Sequence, residues 1–378
     1  MTEPDIKDRL ARAAATLPQD VERRLDELHR GIPRRDRVRR VGVIAVAATV
    51  ALGALAVAGQ LLPDSDGTSV GTPGPTGRIA LTRVLADPEG GGTADVVAAD
   101  ASSGEVRPVS EGPAADFFPV WSPQGDRVAF GTGMEAGDAL GIHVANADGT
   151  DLVSIDSGKV EFLAWAPSGD ELAYVHSQEG SLHDDPDGIY IVGVDGTKGH
   201  RVVPGLWQSV SWSPDGELLV AAGWPDNGGH ACPPECTDVY TIRPDGSDLT
   251  QLTHDDTYDH VAVWSPDGTR IAVARSDEYD NVDYGSDIYV MDADGDRMTR
   301  LTDWRGFDSF PVWSPDGSAI AFASDRDVPD AQQAANEDGA FAYIGIYIMA
   351  ADGTQVHALV AGERDVALLP TSWTTPRE

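Results

Sequence analysis

The chain has 378 residues, and its 62 aspartate and glutamate residues outnumber its 27 lysine and arginine residues, giving a net charge of −35 at pH 7. Residues 1–40 contain 11 basic and 8 acidic residues, so the remainder contains 16 against 54 and carries a net charge of −38. A domain this acidic repels a phosphate backbone, which excludes nucleic-acid binding and favours solubility, a bound cation or a basic partner.

The N-terminal segment, residues 1–40, is predicted to be a charged helical head. Pro18 divides it into two short helices, each with apolar residues at helical spacing: Ile6, Leu10, Ala14, Val21, Leu25 and Leu28. The segment is similar to the short cytoplasmic heads of actinobacterial single-pass proteins that resemble anti-sigma factors, although it lacks a His/Cys metal motif. This resemblance implies a cytoplasmic regulator, such as a sigma factor, as a partner of residues 1–40.

The next segment, Val41–Leu62, has 22 residues without a charge, which is long enough to cross a bilayer as a helix. An arginine cluster precedes it and favours a cytoplasmic N-terminus, with the rest of the chain outside the cell membrane: Arg34, Arg35, Arg37, Arg39 and Arg40. The alternative is a cleaved signal peptide, because Ala56–Ala58 fits a cleavage site. No cysteine lies near residue 60, which excludes a lipid anchor. Residues 63–76, rich in Gly, Pro and Ser, are predicted to be a flexible linker.

Beyond the linker, one short motif occurs five times, as WSPQG at Trp121, WAPSG at Trp165 and WSPDG at Trp212, Trp264 and Trp313. The copies are spaced by 44, 47, 52 and 49 residues. A period of this length with one aromatic anchor indicates an array of small sheets that bury their faces against one another.

Each repeat predicts four strands. The first leads into the tryptophan, as in His260–Trp264, and SPDG then forms a tight turn. The second follows at once, as in Arg270–Ala274, and a loop of variable length leads to the third, as in Asp287–Met291. A second Asp-Gly turn, DADG at Asp292, joins it to the fourth, Met298–Leu301.

The first repeat lacks a tryptophan-bearing strand, since only Arg78–Val84, Asp95–Asp100 and Glu105–Val109 are present. Ala367–Trp373, at the other end of the chain, is a first strand with nothing after it. We therefore predict an all-β domain over residues 77–378. It is a six-bladed β-propeller of four-stranded antiparallel blades, closed by a C-terminal strand that joins blade 1.

The WSPDG turn and the DIYVMDADG strand resemble the TolB-type, WD-like repeats of bacterial propellers, over about 300 residues from Gly77 to Trp373. The resemblance implies partners among envelope proteins, although this chain differs from TolB in its tether and in having no α/β domain before the propeller. We expect six tryptophans to pack between blades rather than to stack on a ligand: Trp121, Trp165, Trp212, Trp264, Trp313 and Trp373.

Propeller geometry puts the short turns on one face and the long, variable connections on the other, where function is expected. The longest connections are Gly223–Asp238, Ser276–Asp287 and Ser324–Ala342. Two acidic segments flank one blade there and form a candidate site for Ca²⁺ or another divalent cation, with solvated surface charge as the alternative: His254, Asp255, Asp256, Asp259, His260, Asp277, Glu278, Asp280 and Asp283.

The only cysteines, Cys232 and Cys236, lie in the sequence HACPPEC. Outside the cytoplasm such a pair favours a local disulfide, and the alternatives are a metal site with His230 or free thiols. A GxSxG nucleophile motif is absent from the sequence. The oligogalacturonate lyases, which share a related propeller, use a metal and histidines at the pore. In this chain five of the nine histidines are scattered among the repeats without such a pattern: His143, His176, His183, His200 and His357.

We therefore predict a non-enzymatic, membrane-anchored binding or scaffold protein without a cofactor, which recognises an envelope protein or ligand. The alternative is a transmembrane sensor whose residues 1–40 bind a transcription regulator. A propeller lyase or another metal-dependent enzyme is the remote alternative.

Overall fold

The computed structural model describes residues 76–85, 93–110, 115–132, 141–156, 160–176, 186–197, 199–226, 237–255, 257–276, 285–326, 344–363 and 366–375. Every regular element in these residues is a β-strand, which confirms the predicted all-β class. The predicted head, spanning helix and linker lie outside the described residues. Within the residues that are described, no helix is long and apolar enough to cross a membrane.

The first eleven strands are β1 (Arg78–Leu85), β2 (Thr93–Asp100), β3 (Val106–Pro108), β4 (Asp116–Trp121), β5 (Arg127–Thr132), β6 (Gly141–Asn146), β7 (Val153–Asp156), β8 (Val160–Trp165), β9 (Glu171–His176), β10 (Gly188–Gly193) and β11 (His200–Trp212). The others are β12 (Leu219–Pro225), β13 (Asp238–Ile242), β14 (Thr250–Gln251), β15 (Tyr258–Trp264), β16 (Arg270–Ser276), β17 (Ser286–Asp292), β18 (Thr299–Arg300), β19 (Asp308–Trp313), β20 (Ala319–Ser324), β21 (Gly345–Ala350), β22 (His357–Val360) and β23 (Val366–Thr374).

These strands form four antiparallel sheets of four strands and one sheet of seven. In the seven-stranded sheet, the beginning of the long strand β11 pairs with β10 and its end pairs with β12. The strands therefore group into repeat units, which we number along the chain. Unit 1 is β23 with β1–β3, unit 2 is β4–β7, and unit 3 is β8–β10 with the beginning of β11. Unit 4 is the end of β11 with β12–β14, unit 5 is β15–β18, and unit 6 is β19–β22.

The units follow one another in a ring. The first strand of each unit contacts the first strand of the next, and β19 of unit 6 contacts β23 of unit 1. The strand from the end of the chain, β23, pairs along the whole of β1, from Arg78 opposite Thr374 to Leu85 opposite Val366. This pairing confirms the predicted closing strand.

Each SPDG turn is held by its own side chains. In the copy that begins at Trp212, the Ser213 hydroxyl donates to Oδ1 of Asp215 at 2.6 Å and accepts the amide N–H of Leu218 at 2.9 Å. Gly216 follows with φ of 74°, in the left-handed region that glycine adopts without strain. The turn thus satisfies its polar groups locally and starts the second strand at a fixed position.

The motif tryptophans lie between neighbouring units. Trp121 of unit 2 packs in a buried cluster with Ala80 and Val96 of unit 1, and Trp373 of unit 1 packs with Val312 of unit 6. The tryptophans of the other units occupy the equivalent clusters, and all six side chains are buried. Burial of a tryptophan removes about 150–250 Å² from water, so each of these residues makes a large apolar contact between units.

Arginine side chains reinforce some of these contacts. The Arg78 guanidinium lies 4.6 Å from the ring centroid of Trp121 and donates to the Gly125 carbonyl at 2.7 Å. The Arg127 guanidinium likewise lies 5.1 Å from the ring centroid of Trp165 and donates to the Gly169 carbonyl at 3.0 Å. One unit thus both stacks on the tryptophan of the next and bonds to its turn.

Candidate functional site

The ring has two different faces. On the turn face, the SPDG and Asp-Gly turns join first to second and third to fourth strands, and their serine and aspartate side chains bond within each turn. The opposite face, the loop face, carries the connections between second and third strands and between units. The second-to-third connections of all units fall wholly or largely outside the described residues. The candidate site is therefore built from the strand ends beneath them.

An array of five phenylalanines crosses the ring. Phe118 of β4 stacks on Phe162 of β8 with centroids 5.2 Å apart, and Phe162 stacks on Phe310 of β19 at 6.2 Å with nearly parallel planes. Phe117 and Phe307 extend the array at its two ends, at 6.2 and 6.3 Å. The chain has eight phenylalanines, so most of them are concentrated here.

The array lies at the centre of the ring. Phe162 belongs to unit 3 and Phe310 to unit 6, and two units separate them in either direction around the ring. Their side chains therefore meet only across the middle. Each such aromatic pair contributes about 0.5–1.5 kcal/mol beyond its buried area. The phenylalanines thus fill the centre on the side of units 2, 3 and 6.

Two members of the array have a strained backbone. Phe118 and Phe310 each have φ of 53°, and each precedes a proline, Pro119 or Pro311. A left-handed backbone is unfavourable for a residue with a side chain, and a following proline restricts the backbone further. Each of the two residues therefore costs on the order of 1–3 kcal/mol. The Phe118 amide N–H donates to Oγ1 of Thr82 in unit 1 at 3.0 Å, which helps to hold that conformation.

The first strands of units 3, 4 and 5 have a β-bulge at the same position relative to the motif tryptophan. The register of pairing shifts at Glu161 in β8, at Gln208 in β11 and at His260 in β15. Each of these residues stands four positions before its motif tryptophan, and each is half-buried. A bulge turns a side chain away from the regular alternation of a strand.

Tyr258 connects two of these polar residues. The side-chain amide of Gln208 in unit 4 donates to the Tyr258 hydroxyl in unit 5. The Tyr258 ring packs edge-on against the His260 ring with centroids 4.3 Å apart, and Nε2 of His260 lies 2.9 Å from the Ser276 hydroxyl. Burial lowers the pKa of His260, so its imidazole is neutral at pH 7.

A buried ion pair lies at the loop-face end of unit 5. Nε of Arg275 donates to Oδ1 of Asp259 at 2.6 Å, and Nη2 donates to Oδ1 of Asp255 at 2.5 Å. The Thr253 hydroxyl donates to the other oxygen of Asp259 at 2.7 Å. Burial raises the pKa of Asp259, and the Arg275 charge acts against that rise.

Unit 6 repeats this arrangement with different spacing. Asp308, five residues before its motif tryptophan as Asp259 is, accepts from Nη2 of Arg326 at 2.5 Å and from the Ser324 hydroxyl at 2.7 Å. The neighbouring Asp325 accepts from the Trp304 indole at 2.7 Å and from the Phe307 amide at 3.0 Å. The loop face of units 5 and 6 is thus a layer of paired charges.

Unit 2 has a third aspartate at the equivalent position, Asp116, and no cation among the described residues is paired with it. Asp116 is buried, and burial, together with the nearby negative charge of Asp95, raises its pKa to about 6 although the Ser110 hydroxyl bonds to it. Asp95 itself is paired with Arg83 at 3.0 Å. An ionised Asp116 is therefore destabilising at neutral pH.

The structure brings together only part of the predicted cation site. Asp255 and Asp259 meet, but around the Arg275 guanidinium; His260 bonds to Ser276, and His254 is exposed. Asp256, Asp277, Glu278, Asp280 and Asp283 lie outside the described residues, as do Cys232 and Cys236. Across the described ranges, no group of three or more His, Cys, Asp or Glu side chains is placed to hold a metal ion.

The phenylalanine array and the polar bulge residues were missed from the sequence. A signal for the array exists, since phenylalanine stands three residues before the tryptophan in FFPVW, EFLAW and SFPVW. The polar residues one position earlier, in units 3, 4 and 5, give a weaker signal because Glu, Gln and His share little except hydrogen-bonding capacity.

No family model matches the sequence, and no curated protein matches it. The structure is similar to TolB from Acinetobacter baumannii, with a TM-score of 0.57 and 18% identity over 78% of this chain, and it spans 66% of that chain. It is similar to a TolB-type protein of Agrobacterium tumefaciens, with a TM-score of 0.53 and 19% identity over 79% of this chain and 99% of that one. It also matches Kuenenia stuttgartiensis hydrazine synthase, with a TM-score of 0.58 and 16% identity over 80% of this chain and 48% of that one.

These similarities establish the class of fold: the described residues form a β-propeller like that of the TolB proteins. Identities below 20% show the fold alone. Because hydrazine synthase contains a similar propeller, the fold by itself does not separate a binding protein from an enzyme.

Proposed function

We propose that this chain is a non-enzymatic binding or scaffold protein of the cell envelope. A single helix, Val41–Leu62, anchors it in the cell membrane, and a propeller outside the membrane recognises an envelope protein or ligand through its loop face. We count the seven-stranded sheet as two blades, which makes the propeller six-bladed. The contrast between the two faces is the observation that carries this proposal.

The turn face is self-contained, because its serine, threonine and aspartate side chains bond to their own turns. The loop face instead carries long connections of variable composition, among them Ser276–Asp287 with five acidic residues. Rigid strand ends beneath variable loops are the usual arrangement of a recognition surface. The strong negative charge of the domain favours a partner with a basic surface.

The described part of the ring favours binding over catalysis. Its buried aspartates on the loop face in units 5 and 6 are committed to arginines, and the phenylalanine array occupies much of the centre. An enzyme of this fold needs a reactive group or metal facing a cavity. Here the charged groups instead fix the strand ends on which the loops stand.

The test is cross-linking in intact cells, with a photoreactive residue in place of Asp303 on the loop face. Its side chain is 89% exposed. The matched control carries the same residue at Asp148, which is exposed on the turn face. We expect the photoreactive residue at position 303, and not the one at position 148, to capture one envelope protein. The same result is expected when an engineered protease site in residues 63–76 is cut to release the propeller from its tether. Equal capture from both positions, or none from either, would contradict recognition by the loop face.

A second candidate function is transmembrane sensing, favoured by the charged, helically periodic head of residues 1–40. In this case a cytoplasmic regulator such as a sigma factor binds the head. Pull-down with the full chain, compared with a chain that lacks residues 1–40, tests it. Recovery of a transcription regulator only with the full chain supports sensing, and no difference between the two chains rejects it.

A further inference from the structure

One polar arrangement recurs at three boundaries between units, at the loop-face ends of the strands. It combines an aspartate near the beginning of the third strand of one unit with two residues of the next unit's approach. These are a serine or threonine eleven positions before the next motif tryptophan and the buried aspartate five positions before it. The three polar triplets are Asp95, Ser110 and Asp116; Asp238, Thr253 and Asp259; and Asp287, Thr302 and Asp308.

The same hydrogen bonds hold each triplet together. In every copy the hydroxyl accepts the amide N–H of the residue after the first aspartate, at 3.0, 2.8 and 2.9 Å along the chain. The Thr253 hydroxyl also donates to Asp259 at 2.7 Å, and the Ser110 hydroxyl bonds in the same way to Asp116. The triplets are therefore three copies of one site, which can be compared residue by residue.

The first aspartate of each triplet has its own donor. The donors are Arg83 for Asp95 at 3.0 Å, Gln251 for Asp238 at 2.8 Å and Arg300 for Asp287 at 2.5 Å. The second aspartate of two triplets nevertheless has a separate arginine, because Arg275 donates to Asp259 at 2.6 Å and Arg326 to Asp308 at 2.5 Å. Two copies of the site thus bind a guanidinium from within the chain.

The copy in unit 2 differs at this second position. Arg83 corresponds to Arg300, and no described residue corresponds to Arg326 beside Asp116. The connections that adjoin the strands of this copy, residues 86–92, 111–114 and 133–140, contain no lysine or arginine. The carboxylate of Asp116 is therefore built into a guanidinium site to which these segments contribute no guanidinium.

Thr132 stands where the arginine would be. Arg275 is directly opposite Asp259 in the pairing of β15 with β16, and Thr132 is directly opposite Asp116 in the pairing of β4 with β5. Side chains of directly opposite residues lie on the same side of a sheet. The Thr132 hydroxyl is buried and has no hydrogen-bond partner in the part of the chain that the structure describes.

We propose that Asp116, with Ser110 and Thr132, binds a guanidinium group of a ligand at the loop face, in the place that Arg275 and Arg326 fill in units 5 and 6. A guanidinium and a carboxylate form charge-assisted bonds in a fixed geometry, and the acidic domain attracts cations. The proposal rests on the proposed function in using the loop face for recognition. The guanidinium belongs either to an arginine side chain of a partner protein or to a free guanidine compound.

The test is calorimetric titration of the purified full chain with the peptide Gly-Arg-Gly and with ethylguanidinium. A peptide with the uncharged citrulline in place of arginine is the control ligand. Asp116→Asn removes the charge and keeps the shape, so we expect it to weaken guanidinium binding about tenfold or more. Asp151→Asn, the same change on the exposed turn face, leaves the affinity unchanged.

Thr132→Arg supplies the missing arginine from within the chain. We expect this variant to lose peptide binding and to melt about 3 °C higher than the wild type, because its guanidinium pairs with Asp116. The rise in melting temperature separates an occupied site from a misfolded one. In a chain that also carries Asp116→Asn, we expect Thr132→Arg to give no rise.

Three results would overturn the proposal: no binding of either cation by the wild type, equal affinity in Asp116→Asn and the wild type, or the same effect of Thr132→Arg on melting temperature with and without Asp116→Asn. Ethylguanidinium binding as tightly as the peptide identifies a free guanidine compound as the source, and tighter binding of the peptide identifies a partner side chain. Cross-linking from position 303 does not involve Asp116, so failure of guanidinium binding and failure of loop-face recognition are separate results.

Discussion

Arg275 is the residue on which the loop face of unit 5 depends. Its side chain is 6% exposed and its partner Asp259 is fully buried, whereas Arg243 and Asp248 on the turn face are 45% and 69% exposed. Removing one partner of a buried pair leaves the other charge without compensation, which costs several kcal/mol, but an exposed pair contributes little. The two arginines therefore form a matched comparison.

We expect Arg275→Met to lower the free energy of unfolding by about 3 kcal/mol and Arg243→Met to leave it without a resolvable change. Urea unfolding at pH 7 measures both. Equal effects of the two substitutions would show that the Asp259–Arg275 pair stabilises the fold no more than a surface pair does.

Asp116 gives a pH-dependent prediction. Its folded-state pKa of about 6 exceeds the ordinary value of 3.8, so the folded protein holds this proton more tightly than the unfolded chain does. The resulting stabilisation is complete below about pH 4 and is lost as pH rises through 6. We expect Asp116→Asn, which stays neutral and still accepts from Ser110, to raise the free energy of unfolding by about 2 kcal/mol at pH 7.5 but not at pH 4.

Urea unfolding at the two pH values measures this difference, with Asp151→Asn, an exposed change on the turn face, as the control. A gain of the same size at both pH values would point to packing rather than to the charge of Asp116.

These residue-level contacts could not be predicted from the sequence. The acidic cluster was recognised, but Arg275 was not identified as its centre because the arginine lies 16 positions beyond Asp259. The two meet only when β15 and β16 pair in register. A phenylalanine three residues before the tryptophan recurs in units 2, 3 and 6, but the contact of Phe162 with Phe310 joins units that are not neighbours, and no local pattern encodes that contact.

At the level of elements, prediction was much more complete, because strand positions follow local patterns. The expected strand His260–Trp264 is found as β15, Tyr258–Trp264, and the expected Arg270–Ala274 as β16, Arg270–Ser276. Asp-Gly turns and alternating apolar residues fix these elements within a few residues. The pairing of β23 with β1 was predicted because the first repeat lacks a first strand, while the segment at the end of the chain is a first strand that no second strand follows. The bulges were not, since one extra residue in a strand leaves no compositional mark.

The closing strand provides a prediction at this scale. β23 pairs with β1, and its Ser372 hydroxyl accepts the Trp121 amide of unit 2 at 2.9 Å. A chain that ends at residue 365 leaves the inner edge of β1 unpaired and removes Trp373 from its cluster. We expect this chain to aggregate, as measured by size-exclusion chromatography.

Addition of a synthetic peptide of residues 366–378 restores a single species, because an extended peptide adds to an open sheet edge. A peptide with Trp373→Ala is the control and is expected to restore little. A well-behaved truncated chain without any peptide would show that β23 does not close the ring.

For the whole molecule, charge is the dominant property. The portion after residue 40 carries a net charge of −38, and repulsion between its carboxylates opposes the compact state. Salt screens that repulsion. At 0.5 M NaCl the Debye length is roughly 4 Å. We expect this salt concentration to raise the melting temperature by about 3 °C. A fall in melting temperature would show that attractive ion pairs outweigh the repulsion.

The predicted cation site adds a separate effect. If its acidic residues bind a divalent ion, millimolar Ca²⁺ or Mn²⁺ raises the melting temperature beyond NaCl of equal ionic strength, because the ion binds only the folded state. We expect the double variant Asp256→Asn, Asp280→Asn to abolish this additional rise. Identical melting temperatures in EDTA and in added metal would assign the cluster to solvated surface charge.

Ring closure by the last strand also imposes an order on biosynthesis. The Thr371 hydroxyl bonds to the Ala80 carbonyl at 3.2 Å across 291 positions of sequence, and the Trp373 indole bonds to the Thr76 carbonyl at 3.1 Å across 297. At ribosomal speeds β1 waits on the order of 15–60 s for its partner to be made. During that interval its inner edge is open to strands of other nascent chains. The yield of folded protein therefore depends on how well that edge is shielded before translation reaches residue 366.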